Sequence, residues 1–123
     1  MADSLRILAI DDEEPLLQML RKFLTRQMHT VTAINRAHEA LNWFREHSNE
    51  IDLAIIDLSM PEMPGEELAL AMFTIRPDIP ILLSSGYPFD VEVLPPAVRP
   101  FVGFLGKPYL PRELEAAIRS LLP

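Results

Sequence analysis

The sequence contains no cysteine, which excludes a disulfide framework and any thiolate metal site. It has no Asn-x-Ser/Thr acceptor for N-linked sugar. Long hydrophobic runs are missing too: each apolar stretch ends in a charge or a proline after a few residues, far short of a membrane span or a signal-peptide core. Positive charge is scarce, with 11 Lys and Arg against 18 Asp and Glu and a formal net charge of -7. Such a surface repels phosphate backbones and anionic lipid, so neither direct nucleic-acid binding nor membrane insertion is expected. A cytoplasmic location is the expectation. No composition shift marks a linker, and no repeat or low-complexity tract interrupts the chain. With 123 residues, 49% of them apolar, one domain over 1–123 with one well-developed core is the natural reading.

What is present is an alternation. Short apolar runs at Ile7–Ile10, Leu53–Ile56, Ile81–Leu83 and Phe101–Leu105 are separated by segments whose apolar residues recur at helical spacing. Unbroken apolar strands suit a parallel sheet covered on both faces. A weaker fifth strand is expected over His29–Ile34. Leu16, Leu20, Phe23, Leu24 and Met28 form the stripe of a first helix, with Pro15 in its opening turn. Ala37, Ala40, Leu41 and Phe44 mark a second, Leu68, Met72 and Ile75 a third after Gly65, and Leu114, Ala117, Ile118 and Leu121 a last one after Pro111. The order predicts an α/β fold: a five-stranded, doubly wound, flavodoxin-like parallel sheet with helices on both faces. Between the fourth and fifth strands Pro88, Pro95, Pro96 and Pro100 crowd together. Each proline inside a helix costs about 3 kcal/mol or more, so a fourth helix there is short or irregular, at most Phe89–Leu94.

Ligands of open α/β sheets bind beyond the carboxyl ends of the strands, and each apolar run delivers a polar group there. The first ends in Asp11 and Asp12, the third strand in Asp57, the fourth in Ser84 and Ser85, and the fifth, shortly after Leu105, in Lys107. A single Asp after a strand is commonly a turn residue or a helix cap. Three carboxylates brought together raise one another's pKa unless a cation intervenes. Oxygen donors with room for water suit Mg2+; the histidines, His29, His38 and His47, fall at none of these strand ends. Magnesium beside carboxylates points to phosphoryl chemistry, which needs mainly alignment and charge neutralisation. In this reading Asp57 is the nucleophile, Asp11 and Asp12 hold the metal, Lys107 pairs with a phosphoryl oxygen, and Ser85 donates a hydrogen bond.

Four motifs in order, Ile10-Asp11-Asp12-Glu13-Glu14, Asp57-Leu58-Ser59-Met60-Pro61-Glu62-Met63-Pro64-Gly65, Ser84-Ser85-Gly86 and Lys107-Pro108-Tyr109, resemble those of the receiver domain of two-component response regulators and hybrid sensor kinases. The likeness covers essentially the whole chain. It implies that Asp57 accepts a phosphoryl group from a sensor histidine kinase or a histidine phosphotransfer domain. It further implies that Asp12, Asp57 and the backbone carbonyl of Ser59 bind Mg2+ directly, with Asp11 acting mostly through water. Ser85, rather than Ser84, takes the hydroxyl position facing the phosphate, and Gly86 beside it leaves the aspartyl phosphate open to water. Lys107-Pro108 resembles the family's cis peptide. Phe104 aligns with the switch aromatic, which turns inward when Ser85 moves toward the phosphoryl group; as Phe it lacks the hydroxyl of the more usual Tyr.

The largest departure from the family pattern is Pro88–Pro100. Phe89 and Val91 there either form a docking patch or pack the loop onto the sheet. Two other functions compete with the switch. A small-molecule phosphatase of the haloacid dehalogenase type would carry a second acid two residues after its nucleophile, where this chain has Ser59, and usually a cap domain. A receiver that binds partners without phosphorylation would lack active-site residues, and Asp12, Asp57, Ser85 and Lys107 are all present.

Overall fold

A computed structural model describes residues 4–122. Five strands, β1 (Arg6–Ile10), β2 (Thr30–Ile34), β3 (Leu53–Asp57), β4 (Ile81–Ser85) and β5 (Val102–Gly106), alternate with the helices α1 (Glu14–Arg26), α2 (Ala37–His47), α3 (Gly65–Ile75) and α4 (Pro111–Leu121). All strand pairs are parallel and the order is β2-β1-β3-β4-β5. This is the doubly wound sheet that the alternation predicts. Among the described residues no helix is long and apolar enough to cross a membrane.

The unbroken apolar character of β3 and β4 follows from burial along their whole length. Successive side chains of a strand point to opposite faces, and here they feed two cores. Ala54, Ile56, Ile81 and Leu83 pack with Phe44 of α2 and Leu68 and Met72 of α3. Leu53, Ile55 and Leu82 pack with Leu17 and Leu24 of α1 and with Leu114 and Ile118 of α4. Each such fully buried large side chain contributes about 1.5–3 kcal/mol of transfer free energy, so the two cores hold the strand ends, and what they carry, in register.

One expectation is corrected. In α1 the innermost stripe is Leu17, Leu20 and Leu24, whereas Leu16 is 39% exposed and Met28 75% exposed. Leu17 lies three residues before Leu20 and seven before Leu24, the spacing of one helix face, and Leu16 falls on its flank. Met28 lies beyond the helix end in the left-handed region at φ 71°. Its N–H bonds Thr25 O at 2.9 Å and the His29 N–H bonds Leu24 O at 3.1 Å, the double closure of a Schellman cap in which glycine is the usual residue.

The segment Phe89–Leu94 is short and irregular as expected, forming one 3-10 turn at Val91–Val93; a second turn follows at Arg99–Phe101. The prolines remove the donors a helix needs, and side chains substitute. Asp90 Oδ1 accepts from the Glu92 N–H at 2.9 Å. The Arg99 guanidinium donates to Leu94 O at 2.8 Å and to Glu92 O at 2.6 Å. Phe89 and Val91 are partly buried against the α2/α3 core, so they pack the loop onto the sheet.

Gly65 is where α3 comes closest to the end of β3. A Cβ there would lie 2.6 Å from Asp57 O and 2.7 Å from Leu58 Cα, and both are backbone atoms that cannot step aside. Gly65→Ala is therefore expected to destabilise the domain by about 1–3 kcal/mol, the usual cost of overpacking. Chemical denaturation checks this, and an unchanged midpoint would show that the β3–α3 loop yields freely.

Candidate functional site

The carboxyl edge of the sheet gathers the polar residues that the apolar runs deliver. Asp11 and Asp12 follow β1, Asp57 ends β3, Ser84 and Ser85 end β4, and Lys107 follows β5. Because α1 and α4 cover one face and α2 and α3 the other, the winding reverses between β1 and β3, where open α/β sheets form a crevice. Asp11, Asp12 and Asp57 each offer a carboxylate oxygen, and these lie within 4.8 Å of one another. Asp11 and Asp57 are only 6% and 5% exposed.

Lys107 completes the cluster from the far side of β4. Its Nζ lies 2.9 Å from Asp11 Oδ2 and 3.4 Å from Asp57 Oδ1. The other oxygen of Asp11 accepts the Glu13 N–H at 2.9 Å, which fixes that carboxylate at the entrance to α1. Burial raises the Asp57 pKa above its ordinary value, and the charge of Asp11 raises it further; Lys107 and the Ser59 backbone amide oppose the shift without cancelling it. For Lys107, burial alone would lower the pKa, but the hydrogen bond to Asp11 and the charges of Asp11 and Asp57 outweigh it and the net shift is upward. The ammonium is therefore held charged beside a carboxylate that resists ionisation.

Three hard oxygen donors face one ammonium, and a buried acidic excess of this kind calls for a further cation. The donor set fits a divalent ion that keeps part of its water shell. Asp11, Asp12 and Asp57 are the residues that could hold it.

The remaining expected residues lie around this cluster. Ser85 is buried, and its Oγ accepts the Tyr87 N–H at 2.9 Å. Its carbonyl accepts the Lys107 N–H at 2.8 Å. Phe104 pairs in register with Leu83, packs on the α2/α3 core, and sits 6.3 Å from the Phe89 ring. By strand alternation Ser85 and Phe104 share that face. The Ser59 side chain points to solvent, the Lys107–Pro108 peptide is cis, and a Cβ on Gly86 would meet nothing within 4 Å.

Some features have no signal in residue spacing. Glu62, inside the loop after Asp57, accepts from Arg36 Nη2 at 3.1 Å and from the His38 N–H at 3.3 Å, tying that loop to the start of α2. Glu14 likewise accepts from Asn35 Nδ2 at 2.8 Å. Ser84 stands beside Asp57 in the ladder, and its buried hydroxyl has no hydrogen-bond partner among the described residues.

Comparison with known proteins agrees with this architecture. The family model described as "Response regulator receiver domain" matches residues 7–119, and the chain belongs to that family of two-component signalling domains. Among curated relatives, the two-component response regulator ARR10 of Arabidopsis thaliana is 33% identical over 111 residues, covering 90% of this chain and 20% of that protein. The chain thus spans about a fifth of the length of such relatives. Among solved structures, a response regulator receiver domain protein from Clostridium thermocellum superposes with a TM-score of 0.83 at 28% identity, covering 95% of this chain and 94% of that one. The receiver domain of the hybrid histidine kinase CckA gives 0.81 at 26% identity, covering 96% and 99%.

The raised Asp57 pKa has a consequence for stability. An acid whose folded pKa exceeds its unfolded value loses folding free energy as pH rises from the ordinary 3.8 through the raised value. In metal-free buffer at neutral pH the ionised Asp57 is therefore a burden on the fold. Asp57→Asn is expected to raise the melting temperature by a few degrees, since about 1 kcal/mol moves the midpoint of a domain this size by roughly 4 °C. At a pH well below the ordinary carboxylate range the gain should vanish. A lower midpoint in the variant at neutral pH would mean that the Lys107 pair outweighs burial.

Proposed function

We propose that the chain is, over 1–123, a single receiver unit in which Asp57 accepts a phosphoryl group from the phosphohistidine of a sensor histidine kinase or a histidine phosphotransfer domain. The observation that carries this reading is the buried Asp57 carboxylate, clustered with those of Asp11 and Asp12 and touched, as Asp11 is, by the Lys107 ammonium. An Asp57 oxygen attacks phosphorus, the P–N bond of the donor breaks, and its electron pair stays with the imidazole nitrogen. Lys107 passes from Asp57 Oδ1 to an incoming phosphoryl oxygen as a point charge. Mg2+ is the ion that suits Asp11, Asp12, Asp57 and the Ser59 carbonyl, and when bound it supplies charge neutralisation for the carboxylates and the phosphoryl oxygens.

Ser85 is buried at the crevice edge on the face it shares with Phe104. Its hydroxyl accepts from the Tyr87 N–H and keeps its own proton to donate. Donation to a phosphoryl oxygen would draw Ser85 inward and favour an inward rotamer of Phe104, a population shift read on the β4–β5 side. The open space beside Gly86 leaves the aspartyl phosphate within reach of water, so the signal decays on the protein itself. The domain is in this sense a cytoplasmic phosphoacceptor with limited self-catalysis, and a multiple-turnover enzyme it is not.

Incubation with acetyl phosphate and Mg2+, followed by intact mass, is expected to show addition of one phosphoryl group that hydroxylamine removes. Asp57→Asn should abolish the addition, and labelling that survives this substitution would place the acceptor elsewhere.

A further inference from the structure

Ser84 ends β4 beside Asp57, and the two are paired in the ladder. Ile55 and Leu82, two residues before each, belong to the α1/α4 core, so alternation puts Asp57 and Ser84 on that same face. Ser85 falls on the opposite face. Ser84 is 3% exposed, and its Oγ is out of reach of solvent with no partner among the described residues. A buried hydroxyl left unpaired costs stability and calls for a reason. A mere filler at this position would be apolar, as Ile55 and Leu82 are one step earlier on the same face.

The strand order supplies the reason. Lys107 follows β5, yet its ammonium bonds Asp11 after β1 and Asp57 on β3. With β4 lying between β3 and β5, the Lys107 side chain must cross the end of β4 to get there. Ser84 is flanked in register by Asp57 on one side and Leu105 on the other. Register and alternation therefore put Ser84 at the end of β4 that Lys107 crosses, on the same face as Asp57. In the unphosphorylated protein the Lys107–Asp57 contact supplies Asp57 Oδ1 with a donor. When a phosphoryl group draws the ammonium away, the carboxylate keeps the Ser59 amide but loses one donor while it must still be held for attack.

We propose that Ser84 is a positioning residue for phosphoryl transfer, its hydroxyl turning to donate a hydrogen bond to the Asp57 carboxylate as Lys107 moves onto the phosphoryl group. The inference rests on Asp57 being the phosphoryl acceptor. The orphaned hydroxyl is then a cost carried by the resting state, and the bond it makes belongs to the reacting state. Interactions stronger there than in the ground state are the ones that speed a reaction.

The test measures phosphorylation by acetyl phosphate, with Mg2+ present, in the wild type, Ser84→Ala and Ser84→Thr, alongside thermal melting of each. Ser84→Ala removes a buried unpaired hydroxyl, so its melting temperature should equal or exceed that of the wild type. Its maximal rate of phosphorylation should nevertheless fall about tenfold, the loss of one hydrogen bond to a charged group, with the half-saturating donor concentration unchanged. Ser84→Thr restores the hydroxyl and should recover most of the rate. A purely structural role would move melting and rate together. Wild-type rates in Ser84→Ala, or a slow Ser84→Thr that melts normally, would overturn the proposal. Failure of the wild type to take up phosphoryl, or uptake that persists in Asp57→Asn, would instead overturn the acceptor reading and is distinguishable on the same mass spectra.

Discussion

Carboxylate oxygens of Asp11, Asp12 and Asp57 held within 4.8 Å of one another repel, and burial of two of the three side chains denies them the screening that water would give. The Lys107 ammonium, bonded to Asp11 and Asp57, is what makes the arrangement tolerable. The balance is incomplete: one positive charge stands against three acids, and burial together with the charge of Asp11 raises the Asp57 pKa. A cluster so poised lowers the stability of the resting fold and favours whatever brings positive charge or takes the carboxylate into a covalent bond.

The rest of the structure can be understood as the support for that cluster. Parallel strands deliver all their carboxyl ends to one edge, and two independent cores fix each strand from both faces. Gly65 lets α3 start against the backbone of Asp57 and Leu58, while Glu62 ties the intervening loop to α2 through Arg36 and His38. Between β4 and β5, the proline-rich connection is held by Arg99 and Asp90 in place of a helix. Phe89 from that connection rests near Phe104, so movement of the ring would be felt by the loop directly.

Much of this was legible in the chain itself, for physical reasons. Buried parallel strands leave unbroken apolar runs, and the residue types that end them, Asp, Ser and Lys, are conspicuous because a core rejects them. The sheet, its helices and the convergence of Asp11, Asp12, Asp57, Ser85 and Lys107 could be foreseen from those runs and the four motifs. Details set by tertiary contact could not. In α1 the spacing shows Leu20 and Leu24 as core, but Leu16 and Leu17 are adjacent leucines and only tertiary contact decides that Leu17 is buried and Leu16 is not. Periodicity extends the same face to Met28 and cannot show that this residue caps the helix in a left-handed conformation. The Glu62 clamp joins residues distant in sequence, and the isolation of the Ser84 hydroxyl is a property of its surroundings, invisible in a Ser-Ser pair.

Calorimetric titration with Mg2+ tests most directly whether Asp11, Asp12 and Asp57 form a divalent-ion site balanced by Lys107. The unphosphorylated wild type should bind one ion, and Asp12→Asn, which leaves both Lys107 ion pairs intact, should weaken that binding by at least about tenfold, or roughly 1.4 kcal/mol. Wild-type affinity in Asp12→Asn, or no binding by the wild type, would contradict it.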